Sequence, residues 1–185
     1  MVSSSHQKQW NASRMGEIMR LFNIFKKEEH LETITVRDDE IVAMADGKLI
    51  DVREVQDEMF AQKMLGDSVA FIYDQDIVTL CAPCNGELSV LYPTGHAFGL
   101  TMNNGVEILV HIGVNTVNAN GKGFTLFSKK QGDRVKAGEP IVKVNIKELK
   151  KSYEMSTMLI ITNANNQVIE FIKPQQVTKS QKIIE

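Results

Sequence analysis

From residue 33 onward the chain carries short apolar or alternating runs at 34–36, 41–43, 69–73, 77–80, 88–91, 98–102, 106–112, 123–128, 141–144 and 158–162. Gly, Asn and Asp turns separate them. Alternation with period two predicts a strand with one buried face, and short apolar runs between turn residues predict strands covered on both. Two stretches, 58–65 and 146–153, space their apolar residues as helices do. Many short strands with few helices predict an all-β chain. The expected form is a compact antiparallel β-sandwich or barrel-sandwich hybrid with short helical segments.

The two ends read differently. The first 13 residues are polar and rich in Ser and Gln, a composition that does not support a packed core. Over 14–29, Met15, Ile18, Met19, Phe22 and Phe25 recur at spacings of three and four, with Arg14, Arg20, Lys26 and Lys27 mostly off that stripe. This predicts a short amphipathic helix with a basic bias, which either packs on the domain or makes a peripheral membrane contact. The expected organisation is an N-terminal extension over 1–32, a β domain over 33–173 and a C-terminal tail over 174–185.

Composition narrows the class. At 185 residues, 43% hydrophobic and 24% charged, the chain suits one ordinary domain with tails. A net charge of −2 with no Arg-aromatic interleaving leaves no footprint for nucleic acid. No apolar run approaches spanning length and no signal-peptide pattern opens the chain, so a cytoplasmic location is expected. Cys81 and Cys84 form a CxxC. No second CxxC and no strand-to-helix context accompany it, so both are expected to act as small apolar residues.

The candidate chemistry lies in His96 and His111, fifteen residues apart on either side of an Asn103-Asn104-Gly105 turn. Antiparallel strands joined there can bring both imidazoles to one patch. Thr94, two residues before His96, falls on the same side of an extended segment. A hydroxyl and two imidazoles can hold a phosphoryl group, one ring attacking while the other groups donate to its oxygens. For any single histidine the plain alternative is a hydrogen-bonded structural residue.

The ordered motifs Thr94-Gly95-His96-Ala97-Phe98, Gly105-Val106-Glu107-Ile108-Leu109-Val110-His111-Ile112-Gly113-Val114-Asn115-Thr116-Val117, Gly121-Lys122-Gly123-Phe124 and Gly132-Asp133-Arg134-Val135-Lys136-Ala137-Gly138 carry a resemblance. Val55-Gln56-Asp57-Glu58-Met59-Phe60-Ala61, Lys63-Met64-Leu65-Gly66-Asp67 and Ala82-Pro83-Cys84-Asn85-Gly86 extend it upstream. Over roughly residues 45–165 the chain resembles the glucose-family IIA component of the bacterial phosphoenolpyruvate-dependent sugar phosphotransferase system. The resemblance implies a β-sandwich whose His111 takes a phosphoryl group from the phosphocarrier protein HPr and gives it to a IIB domain. It implies that His96 assists, that Thr94 supplies a hydrogen-bonded hydroxyl, and that no cofactor is required. Met59, Phe60, Leu65, Tyr92, Phe98 and Leu109 take the places of the family's apolar docking face, although core packing would equally explain Leu65 and Leu109. The family usually has Asp where this chain has Asn115, so of two acidic partner contacts only Asp57 remains.

Three other functions are compatible with parts of the pattern. A regulatory IIA-like protein would signal to target proteins through its phosphorylation state without relaying phosphate, and Asn115 points that way. A biotinyl- or lipoyl-type carrier would share the 132–138 turn but needs a modified Lys at a hairpin tip, and Lys63-Met64 lies in a helix-like stretch. A zinc hydrolase would need three protein ligands; His96 and His111 could bind zinc adventitiously, or with a carboxylate from a partner protein.

Overall fold

Alternation along the chain resolves, in the computed structural model, into eleven strands over the described residues 35–185. The helix expected over 14–29, and with it any membrane contact, lies outside those residues. The strands are β1 (Gly47–Asp51), β2 (Asp67–Ile72), β3 (Val78–Cys81), β4 (Gly86–Leu91), β5 (Ala97–Met102) and β6 (Glu107–Ile112). They continue with β7 (Phe124–Leu126), β8 (Arg134–Val135), β9 (Pro140–Val144), β10 (Thr157–Asn163) and β11 (Gln175–Val177). Two short helices, α1 (Glu58–Ala61) and α2 (Ile146–Leu149), interrupt them.

An eight-stranded sheet runs in the order β11-β1-β2-β10-β6-β5-β4-β8, and a three-stranded sheet runs β3-β9-β7. All strand pairings among the described residues are antiparallel. The period-two pattern sorts the side chains. Leu49, Val69, Phe71, Ile108, Val110, Ile112, Leu159 and Ile161 enter the main core with Leu80, Val142 and Val144 of the smaller sheet. Ile50, Ala70, Met158 and Ile160 face the other way. There they meet Val52 from a 3-10 turn over Val52–Glu54, Val55 just after that turn, and Phe60 from α1. Burying each large aliphatic side chain contributes roughly 1.5–3 kcal/mol, so the cap holds α1 firmly on the sheet. His111 and Leu109 lie on this second face, opposite Ile108, Val110 and Ile112.

The fold departs from the sequence expectation in several places. Residues 41–45 are buried but form one isolated bridge rather than a strand; their amides bond to loop carbonyls, Val42 N–H to Pro83 and Ala43 N–H to Gln181, both at 2.8 Å. The run at 34–36 forms no strand over its described residues. Both helices stop early; after α1 the backbone turns left-handed at Lys63, φ 54°, and cannot continue the helix. Last, the stretch 174–185 is not a tail. β11 pairs with β1, Lys182 bridges to Val42, and Ile183 is fully buried.

Candidate functional site

β5 and β6 form the hairpin that the Asn103-Asn104-Gly105 turn predicts. Gly105 takes φ 85°, its N–H bonds to the Met102 carbonyl at 3.0 Å, and Asn104 Oδ1 accepts from Val106 N–H at 3.1 Å. The register sets Ala97 opposite His111, and Ile112 N–H donates to the His96 carbonyl at 2.8 Å. The two imidazoles are thereby neighbours, with ring centroids 5.4 Å apart at 77°. Thr94 completes the group, its Oγ1 2.6 Å from His96 Nδ1.

Each ring is held by its Nδ1. The Gly113 carbonyl lies 2.9 Å from His111 Nδ1. A carbonyl only accepts, so Nδ1 carries the proton and Nε2 presents a lone pair. Gly113 sits at φ 72°, and a Cβ there would lie 2.6 Å from Thr116 Cγ2 and 3.0 Å from the Glu154 carbonyl, so glycine is required. On the other ring, the Thr94 hydroxyl can donate to His96 Nδ1, which leaves Nε2–H as a donor. Burial pushes both histidines below the ordinary imidazole value. For His111 the bond to the Gly113 carbonyl opposes that effect, His96 adds to it, and the charge of Asp57 opposes it. Both rings are therefore neutral at pH 7.

Aromatic rings flank the pair. Phe60 packs against His111 with centroids 5.2 Å apart, and Tyr92 against His96 at 4.9 Å. Tyr92 and Met59, the neighbour of Phe60 in α1, are exposed at 46% and 48%, and Leu65, beyond α1, at 40%. Leu109 is half-buried on the face of His111, two residues away on the same strand. Phe98 does not join this patch. It is 1% exposed and packs in the main core, because the strand parity that turns Ala97 toward His111 turns Phe98 inward.

Val90 belongs to the patch and sequence reasoning missed it. It pairs with Gly99, which pairs with Leu109, and the missing side chain of Gly99 leaves Val90 37% exposed above the sheet. Period two would turn Val90 inward with Leu88; the register shift between Glu87 and Val90 turns it outward, and nothing in the sequence pattern signals that shift.

Asp57 and Asn115 have local duties that their spacing did not reveal. Asp57 caps α1, accepting from Met59 N–H at 3.0 Å and Phe60 N–H at 3.3 Å. It thus fixes the segment that carries the patch. Asn115 is exposed and left-handed at φ 59°, with no side-chain cap bond to the following turn. Asn, like Asp, tolerates that conformation better than most residues, so the backbone accommodates either side chain here.

The cysteines carry no site chemistry. Both are buried and unpaired; burial raises Cys81 and pushes Cys84 up to about 12, which keeps the thiols protonated. Among the described residues no three His, Cys, Asp or Glu side chains cluster as metal ligands, and no helix is long and apolar enough to cross a membrane.

Comparison with known proteins gives a consistent picture. Residues 39–167 match the family described as phosphoenolpyruvate-dependent sugar phosphotransferase system, EIIA 1. The chain is 37% identical over 148 residues to the PTS system glucose-specific EIIA component of Borreliella burgdorferi, covering 80% of this chain and 72% of that protein. It is 33% identical over 145 residues to the PTS system glucose-specific EIICBA component of Staphylococcus carnosus, covering 78% of this chain but 21% of that longer protein. The solved glucose permease IIA from Mycoplasma capricolum superposes with a TM-score of 0.72 at 36% identity, covering 78% of this chain and 93% of that one.

Proposed function

The chain belongs to the EIIA 1 family of the phosphoenolpyruvate-dependent sugar phosphotransferase system, and on that premise we propose that it relays a phosphoryl group through His111, from phospho-HPr to a IIB domain. The observation that carries this reading is the Gly113 carbonyl on His111 Nδ1, which frees Nε2 as the nucleophile.

In the proposed transfer, the Nε2 lone pair of His111 attacks phosphorus while the donor's P–N bond breaks and its electron pair returns to the donor ring. The proton stays on Nδ1, donated to the Gly113 carbonyl, as the imidazole gains positive charge. His96 contributes Nε2–H to a phosphoryl oxygen, and Thr94 holds that tautomer. Phosphoryl transfer needs positioning and charge stabilisation more than covalent help, so no cofactor is invoked. The exposed apolar side chains Met59, Leu65, Val90 and Tyr92 would meet HPr and IIB in turn. In the Staphylococcus relative the name itself joins A to B and C units. The setting is the cytoplasm, where HPr would meet the site.

The relay is tested in two steps by intact mass. Incubation with phosphoenolpyruvate, Enzyme I and HPr should add one acid-labile phosphoryl group, and a cognate IIB domain should then remove it. Failure to load contradicts the reading; loading without release to any IIB would favour a signalling protein.

A further inference from the structure

The carbonyl that sets the His111 tautomer is itself held by a neighbouring segment. Past the end of the β6–β10 pairing, Gly113 N–H donates to the Ser156 carbonyl at 2.9 Å and Val114 N–H donates to the Glu154 carbonyl at 2.8 Å. A trans peptide is planar, with its N–H and C=O pointing in opposite directions. The Gly113–Val114 peptide is therefore fixed from one side. With Val114 N–H directed at Glu154, the Gly113 oxygen is directed away from it, at His111 Nδ1, 2.9 Å off.

Residues 154–156 have no regular structure to hold their own carbonyls in place. The Glu154 side chain supplies the restraint. Its Oε1 accepts both Ser156 N–H, at 2.8 Å, and Ser156 Oγ–H, at 2.6 Å. This closes the segment into a tight loop. Charged acceptors make the stronger hydrogen bonds. The other carboxylate oxygen, Oε2, is buried without a protein partner. Glu154 as a residue is half-buried, with Oε1 committed to the two bonds from Ser156. Nothing in the sequence pattern around residue 154 marks it as part of the site.

We propose that Glu154 is a positioning residue for phosphoryl acceptance: clamped on Ser156, it holds the Gly113 carbonyl on His111 Nδ1 and keeps the Nε2 lone pair free. This rests on the phosphocarrier reading for its rate consequence, but the tautomer it sets can be observed without any partner. A second-sphere group that orients a histidine through its other nitrogen acts in this way at many sites.

The test compares wild type with Glu154→Ala, Glu154→Gln and Ser156→Ala. Long-range proton–nitrogen NMR reads the His111 tautomer, single-turnover loading from phospho-HPr reads the rate, and thermal melting reads the fold. Wild type should show only Nδ1–H. Glu154→Ala and Ser156→Ala should show mixed tautomers and load about tenfold and a few-fold more slowly, as expected for losing the clamp. Glu154→Gln keeps an oxygen acceptor and should restore the tautomer and most of the rate. Unchanged tautomer and rate in the Ala variants would overturn the proposal, as would a lower melting temperature with the tautomer intact. If Glu154→Ala does not fold, Ser156→Ala decides the matter alone. If wild type is not loaded by phospho-HPr, the phosphocarrier reading fails while the NMR result still judges the clamp.

Discussion

Replacing Thr94 with valine keeps the shape of the side chain and removes only the hydroxyl that lies 2.6 Å from His96 Nδ1. His96 is 6% exposed, so the ring nitrogen left behind has little water to replace the lost partner. Leaving a buried polar group unsatisfied costs about 1–3 kcal/mol. At about 1.4 kcal/mol per factor of ten, that is roughly a fivefold to 150-fold ceiling on the rate if the whole cost falls on the transition state. Part of it falls on the folded ground state instead, because the bond is present before any phosphoryl group arrives. The expected division is about 1 kcal/mol of lost stability and roughly five- to tenfold slower transfer. Rapid-quench transfer from phospho-HPr gives the rate, and urea melts give the stability. Thr94→Ser should recover both. A Thr94→Val protein that transfers at the wild-type rate would refute the reasoning, whatever its stability, because the hydroxyl would then orient nothing that matters to the reaction.

Other perturbations separate roles that overlap in the structure. Burial lowers both imidazole pKa values, so below the ordinary value of about 6.5 the unfolded chain binds more protons than the folded one. Stability should fall as pH drops through that value, and urea melts between about pH 8 and about pH 5.5 check it; a rise would contradict the assigned direction. Asp57→Asn keeps a capping side chain and removes charge, so it should slow association with HPr while leaving stability nearly unchanged. Asp57→Ala should also cost about 1 kcal/mol through the lost cap of α1, read by chemical denaturation. Asn115→Asp adds a carboxylate at an exposed left-handed residue with no internal bond to lose, so stability should hold while loading from HPr speeds up at low salt. Loading that is slower, or indifferent to salt, would mean that the partner surface suits an amide.

Several parts of this architecture were legible in the residues alone, most clearly where a strand of the large sheet buries one face and leaves the other partly open, as β6 does. Alternation in 106–112 marked β6, and the Asn-Asn-Gly turn after β5 set the hairpin that brings His96 and His111 together. β1 escaped notice because Leu49 and Ile50 are adjacent apolar residues, one facing each cluster, and so give no alternation. β8 and β11 are too short to carry a period, and the burial of Ile183 depends on contacts with residues more than a hundred positions away. Phe98 was misassigned because motif position does not report strand parity. The hydrogen-bond partners of the site were hidden for a different reason. The Gly113 carbonyl is backbone, and Glu154 reaches the site only through the strand pairing of β6 with β10.

The central claim is that His111 Nε2 carries the phosphoryl group. Its most direct measurement is phosphorus–nitrogen NMR on nitrogen-15 histidine-labelled protein loaded from phospho-HPr, with His111→Ala loaded in parallel. The account predicts a single phosphohistidine, bonded through Nε2 and assigned to His111, and no phosphoryl group on His111→Ala. A phosphoryl group on Nδ1, on His96, or persisting in His111→Ala would contradict it.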